Sequence, residues 1–511
     1  MSACFDDVSN ELDPPAPCHI RTGPSFEQQA FRSACDRAWQ ALTRFRGGDL
    51  LDAAQEMEPF LSHPNLRNDS HRQAELETLL AVANIWRDDV DRALFFAHCA
   101  LGHGSSARFH SVLLTVLRYG CWRGHQFSSF YGFSRARLHR QHPLMAMTQV
   151  AHLSMEAVTE VEQLRLKFGE RLANEAIELA DRLTANDSSV SLLATCVLAS
   201  VAFEVGAIEE ADLLCRGKAV AIEQHGTPDS ALWGFTVMAK VALAKDVDNV
   251  GLWMLRKGQE LGVQRGWARL VARCAAEEVA LHLAKGKSHL AQEALDTAER
   301  RVASMGCSLS HSPHDWDLDL ARHRIALAHG DGDSAVSGFT RLRDIAHRAG
   351  RMLWVVRFKL LLAASLFRMD KTEQAEEELR DALQMGVEGG LYRTLVDELP
   401  LIEPCLRSIR TSRQQRLGHL APYIDSFLAV TSGSLLSRRK MAGQPRASEI
   451  LSTKETIILR LISVGQSNKE IARELHIAPE TVKSHAKRIF IKLSTKTRAE
   501  AVARGAEMGI L

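Results

Sequence analysis

Proline is scarce in this sequence, 14 of 511 residues, and aromatic residues make up only 6% of it, four tyrosines included. So few breakers leave long helices room to run, and so few aromatics count against an all-β chain. The ten cysteines are scattered, with no Cys-x-x-Cys pair among them. Paired zinc or dithiol sites are thereby excluded, and reduced, mostly buried thiols of a cytosolic protein are expected. Also missing is any apolar run of the roughly 18 residues that cross a bilayer. Val190 to Phe203 is too short, and Leu353 to Phe367 is interrupted by Arg357 and Lys359. The amino-terminal residues, Met1-Ser-Ala-Cys-Phe-Asp-Asp7, lack the basic stretch and apolar core of an export signal. A cytoplasmic protein with no membrane partner is the expectation. Neither His-Glu-x-x-His nor Gly-x-Ser-x-Gly occurs. The tightest group of possible metal ligands, His311, His314, Asp315 and Asp317, sits in a Ser/Pro-containing connection and reads as a solvated loop. No catalytic residue, metal or cofactor is therefore expected, and the chain is not read as an enzyme.

The charge is balanced overall and unbalanced locally. Residues 431–511 hold 15 Lys and Arg against 7 Asp and Glu, a surplus of eight positive charges, and the chain's net +1 leaves the remainder at −7. A basic tail on an acidic body points to a polyanion-binding end.

What the body does contain is a repeat. A helix-ending Gly or Asp is followed five residues later by Ala at Gly48/Ala53, Asp88/Ala93, Gly206/Ala211, Gly286/Ala291, Gly330/Ala335 and Asp370/Ala375. Looser copies, in which another small residue or Asn takes the place of Ala, occur at Gly124/Ser129, Gly169/Asn174 and Asp246/Gly251. Gly and Asp tolerate the left-handed conformation that ends a helix, and Ala lets the next helix approach closely. Around each turn apolar residues recur at three- and four-residue steps, so each unit of about 40 residues reads as a helical hairpin that must stack on its neighbours to bury both faces. The fold expected is all-α, a tetratricopeptide-like α-solenoid over 26–430. It follows a flexible proline-rich lead-in at 1–25 and precedes a basic, breaker-rich linker at 431–448. Six of the eight tryptophans, Trp86, Trp122, Trp233, Trp253, Trp267 and Trp354, are read mainly as core between repeats.

Residues 449–511 read as a small four-helix domain. Ser452-x-x-Glu455 is a capping box, Gly465 closes the helix it opens, and Ser467-x-x-Glu470 is a second box over a short helix bearing Ile471, Ala472 and Leu475. After His476-Ile477-Ala478, Pro479 suits the first position of a helix running to about Leu493, with Val482, Ile489 and Leu493 facing inward and basic residues outward. This is a helix-turn-helix spanning Asn468 to Lys487.

The motifs Leu451-Ser-x-x-Glu455, Gly465-x-Ser467-Asn468-Lys469-Glu470-Ile471-Ala472, Thr481-Val482-Lys483-x-His485, Lys492-Leu493 and Arg498-x-x-Ala501-Val502 resemble the C-terminal DNA-binding domain of LuxR-type bacterial transcription regulators. Gly266-Trp267-Ala268-Arg269-Leu270 and Gly390-Leu391-Tyr392-Arg393-Thr394 resemble the helical-repeat region of their large MalT-like subgroup. The resemblance implies a second helix in the major groove, with Lys483, Ser484 and Lys487 reading bases. Asn468, Lys469, Thr481, His485 and Lys492 would hold phosphates. It further implies that a last helix at about 497–508, with Arg498, Ala501 and Val502, makes a homodimer on DNA. The expected function is a transcription regulator that binds double-stranded promoter DNA, works with RNA polymerase, and senses a small molecule or protein on its solenoid. The alternative is a helical-repeat adaptor whose basic end is a weak nucleic-acid anchor. The large regulators of that subgroup carry an ATPase module in front of the repeats. Here Lys285-Gly286-Lys287-Ser288 has Leu281 where a phosphate loop needs its first Gly, and the length leaves no room for the module, so ATP-driven assembly is not expected.

Overall fold

The computed structural model describes residues 26–431, except 64–68, 105–106, 133–142, 184–188, 307–315 and 413–419, and residues 458–507, except 460, 464, 475–478, 494 and 496. Two compact units are formed, Met1–Ala421 and Pro422–Leu511. The expected lead-in, the linker after Thr431 and the residues His311, His314 and Asp315 lie outside the described residues.

The first unit is an all-helical solenoid of nine helical pairs among the described residues, from Phe26–Thr43 with Gly47–Met57 to Met352–Arg368 with Thr372–Gly389. Within every pair one residue has positive φ: Phe45, Asp88, His125, Leu164, Gly206, Asp246, Gly286, Gly330 and Asp370. The residue after each donates its N–H to the carbonyl five positions back, from Arg46 to Ala41 through Lys371 to Leu366, at 2.8–3.0 Å. That bond closes a left-handed helix terminus in all nine units. Six turns lie where the repeat predicts them. The other three correct it: Phe45, His125 and Leu164 turn the chain, not Gly48, Gly124 and Gly169. In these units Gly169 occupies the close-packing position five residues after the turn, where an added Cβ would stand 2.6 Å from Val161 Cγ2. Leu50 and Phe130 take that position in the other two and are fully buried. A bulky residue with positive φ is strained, and here packing offsets the strain. Phe45 lies edge-on to Trp86 at 5.3 Å, and Leu164 fills the space beside Gly389.

After the first pair, the first helix of each pair lies inside. Twelve of the 17 residues of Met352–Arg368 are buried, against six of 18 in Thr372–Gly389. Leu399–Ser412 closes the array by covering the last pair with Leu399, Ile402, Cys405, Leu406 and Ile409, all buried. Of these six tryptophans, Trp86, Trp122, Trp267 and Trp354 are core, Trp233 is half-buried and Trp253 is exposed. Cys35, Cys196, Cys274 and Cys405 are buried free thiols, and burial pushes Cys405 up to about 12, which leaves it unreactive.

Contacts between successive turns of the superhelix recur at separations of 181 to 190 residues. Trp267 Nε1 donates to the Trp86 carbonyl at 2.6 Å, Arg351 pairs with Glu162, and the Thr394 N–H and hydroxyl donate to the Glu204 carboxylate at 2.8 and 3.0 Å. Gly206 belongs to the same seam. Its φ is +85° and a Cβ there would sit 2.9 Å from Tyr392 Cδ1, whereas Gly330, also at +85°, faces open space. Gly330→Ala therefore carries only the backbone strain, about 1 kcal/mol, and Gly206→Ala is expected to cost about 2–3 kcal/mol. Denaturant unfolding checks the ranking, and equal losses would contradict it.

The seam also carries a pH dependence. Burial pushes the Glu204 carboxyl up to about 7, opposed by the Thr394 N–H, reinforced by Asp397 and opposed again by Lys240. A carboxyl whose folded value exceeds its unfolded one contributes stability that is complete below the unfolded value and lost as pH rises through about 7. Glu204→Gln should therefore gain on the native chain by up to about 3 kcal/mol between pH 5 and pH 8. Thermal unfolding of both across that range is the check, and parallel profiles would refute the assignment.

Candidate nucleic-acid interface

In the second unit the order after Ala421–Thr431 is a helical stretch within 458–463, then Asn468–Glu474, Pro479–Lys492 and Arg498–Glu507. Gly465 at φ +85° ends the first stretch, with the Gln466 N–H returning to the Leu461 carbonyl at 3.2 Å. Ser467 caps the next helix as its sequence predicts. Its N–H donates to Glu470 Oε2 at 2.7 Å, and the Glu470 N–H donates weakly to Ser467 Oγ at 3.4 Å. The Ser467 backbone and hydroxyl hold the Glu470 carboxyl below its ordinary value. The box at Ser452 and the connection 475–478, with Ala478, lie outside the described residues.

Ile458, Leu459, Ile462, Ile471, Ala472, Val482, Ala486, Ile489, Leu493 and Ala501 form one core. Val482, Ala486, Ile489 and Leu493 recur at four, three and four residues, so Pro479–Lys492 has one buried stripe, with Phe490 packed beside it. Lys483 and Lys487, one turn apart, are exposed, as are Lys469 and Arg473 on the preceding helix. Ser484, Thr481 and Lys492 belong to the same helix as the two lysines. His485 is half-buried, and its Nδ1 is enclosed without a hydrogen-bond partner. Arg473 is a basic residue of this face that the sequence reading passed over.

Two assignments change. Ala501, assigned to a dimer contact, is fully buried in the domain's own core, because the stripe of its helix that meets Pro479–Lys492 passes through it. Arg498, assigned with it, is half-buried and turns inward: Nη1 donates to Asn468 Oδ1 and Nη2 to the Gln466 carbonyl, both at 2.7 Å. Arg498 thus braces the last helix against the start of the helix-turn-helix, and the Asn468 carbonyl oxygen is occupied within the domain. Val502 is half-buried beside the core. Thr497, overlooked in the sequence, caps this helix by accepting from the Glu500 N–H at 3.2 Å. Arg498→Ala strips donors from two acceptors and is expected to cost the C-terminal unit about 1–3 kcal/mol. Arg498→Lys, lacking the fork that spans both, should recover little of it. Unfolding followed by a probe in this unit tests the brace, and a full rescue by Lys would refute it.

Residues 74–412 match the family model of the MalT-like TPR region. The chain belongs to this MalT-like family. Residues 449–504 match the model of bacterial regulatory proteins of the luxR family, which covers the whole helix-turn-helix. The MalT-like chain is 23% identical over 494 residues to the HTH-type transcriptional regulator MalT of Vibrio campbellii, covering 91% of this chain and 53% of that protein. It is 24% identical over 197 residues to the HTH-type transcriptional regulator AlkS of Pseudomonas putida, 39% of this chain and 20% of that one. A third relative is the probable transcriptional regulatory protein NarL of Mycobacterium tuberculosis, 39% identical over 79 residues, 16% of this chain and 36% of NarL. The chain spans about half the length of the MalT relatives it matches. Among solved structures, a crystal structure of a Rap protein complexed with competence and sporulation factor aligns with a TM-score of 0.50 at 12% identity, over 73% of this chain and 99% of that one. The likeness is one of fold, a helical-repeat solenoid. No described helix is long and apolar enough to cross a membrane. The Gly-Lys-Ser at 286–288 is a repeat turn, with Gly286 at φ +69°. Asp317, read as part of a solvated loop, instead begins the helix Asp317–His329, where it is buried and pairs with Arg273 at 2.6 Å.

Proposed function

We propose that this chain is a cytoplasmic transcription regulator that reads promoter DNA through residues 449–511 and carries its sensing surface on the solenoid at 26–430, with 431–448 as the linker. The observation that carries this reading is the face of Pro479–Lys492 opposite its buried stripe, where Lys483 and Lys487 stand exposed one turn apart. The second helix of such a motif enters the major groove. There Lys483, Ser484 and Lys487 read base edges, while Lys469, Thr481, His485, Lys492 and the Asn468 amide hold phosphates. Two copies bind an inverted repeat, meeting through the outer face of the last helix and Val502, and present RNA polymerase with a regulated promoter. The effector is a small molecule or a protein held by the solenoid.

Binding of the full chain to a retained DNA fragment and to random DNA, followed across salt concentrations, tests this. Each phosphate contact contributes about −0.9 to the slope of log K against log salt, and a specific site is expected at about 10⁻⁸ M or tighter. Micromolar binding without preference would replace this reading with that of a protein-binding adaptor.

A further inference from the structure

The inner helices of the first unit do not close completely. Between the end of Phe26–Thr43, the helices Ser70–Trp86, Ala107–Arg123 and Pro143–Glu162, and residues 190–193 lies a cavity of about 130 Å³. Trp86, Val116, Met155 and Leu193 are among its walls. Its remaining side is formed by Thr227, Asp229 and Ser230, which begin the helix Pro228–Ala244.

Apart from the Trp86 indole N–H, which is enclosed without a partner, most of the few polar groups around it are already paired. Thr115 Oγ1 donates to the Ser111 carbonyl at 2.9 Å and Ser154 Oγ to the Val150 carbonyl at 2.8 Å. The Tyr119 hydroxyl donates to Asp229 Oδ2 at 2.7 Å and accepts from Arg123 at 3.1 Å. Thr227 and Ser230 cap one another. A sugar or an anion entering here would lose its water and find little to replace it beyond the single enclosed indole N–H of Trp86, too few partners for a group that makes many hydrogen bonds. Water fares no better, since an apolar void without two or more polar partners stays dry; cavities of about 150 Å³ with such walls take benzene instead.

We propose that this cavity is a ligand site for a neutral, apolar molecule about the size of one aromatic ring, which names the chemistry of the effector and rests on the reading of the solenoid as the sensing part. The position gives the ligand leverage. Asp229 belongs to the ion cluster in which Arg269 also grips Asp88, and Trp267 Nε1 donates to the carbonyl of the wall residue Trp86 across 181 residues of sequence. A molecule touching both walls favours the closed superhelical turn over any opened one, in proportion to its occupancy.

The test uses the full chain without DNA and indole as the probe, with glucose and benzoate as polar and charged comparators. Indole should raise the thermal midpoint saturably and the comparators should not. Ala151→Leu, which places a larger side chain at the cavity wall, should weaken indole binding by about tenfold or more while keeping the native fold. Should that variant fail to fold, Val116→Ala decides, since an enlarged cavity must retain indole and admit naphthalene, which the native chain excludes. Absence of a saturable indole effect, equal binding by Ala151→Leu, or a benzoate effect as large as that of indole overturns the site. None of these outcomes touches the DNA-binding reading, which is measured separately with promoter fragments.

Discussion

Replacing Lys483 by Ala should lower affinity for the preferred DNA sequence by about 1–3 kcal/mol, roughly 5- to 150-fold, and should relax the preference at one position of each half-site. Lys483 is exposed next to Val482, which is fully buried, so the loss falls on binding and leaves the domain folded. Lys469 belongs to the preceding helix and is exposed too. Lys469→Ala is expected to weaken all sequences alike and to reduce the salt slope by about one unit. The contrast separates base readout from positioning. Quantitative binding to preferred and scrambled fragments checks it, and a Lys483→Ala loss that is equal on both would end the base-reading role.

The largest expected effect on stability is at Arg269. Its guanidinium donates to Asp88 at 2.6 and 2.8 Å and to Asp229 at 3.1 Å, with all three side chains nearly or fully buried. Burial alone would raise Asp88, but the Arg269 and Arg123 charges outweigh it and hold its carboxyl below the ordinary value. Arg269→Ala leaves two buried carboxylates with only Arg123 and Tyr119 beside them and should cost about 3–5 kcal/mol. Arg37→Ala removes an ion pair with Glu56 whose side chains are 52% and 51% exposed, so it should cost under about 1 kcal/mol. Chemical denaturation of the two variants distinguishes a cluster that holds successive turns together from an incidental one, and similar small losses would contradict the account. Arg357, which grips Glu277 at 2.9 Å and Glu398 at 3.1 Å, repeats the arrangement further along the same interior.

These buried clusters mark the limit of what the sequence discloses. The turn spacing is legible because each left-handed terminus acts on residues within six positions of itself, and Asp88, Gly206 or Asp370 can be picked out locally. Phe45, His125 and Leu164 are not legible, because their strain is offset by partners such as Trp86 and Gly389 that only the folded superhelix brings near. Arg269 and Glu204 pair with residues 181 and 190 positions away, and no periodicity announces that. The C-terminal unit is the reverse case. Its capping box, its Pro479 start and its inward stripe are local features, and they place Lys483 and Lys487 correctly on the outer face. The errors there, Ala501 and Arg498, arise where a family role was carried onto residues that this chain spends on its own core and brace. The apolar cavity has no sequence signature, being formed by side chains from six separate segments.

The central claim is that Pro479–Lys492 reads sequence and does not merely hold DNA. The most direct measurement passes genomic fragments over the full chain at near-physiological salt, sequences those retained, and repeats the selection with Lys483→Ala/Lys487→Ala. The account predicts a short inverted repeat enriched by the native chain and absent from the selection with the double variant. Retention by the native chain with no enriched sequence would contradict it.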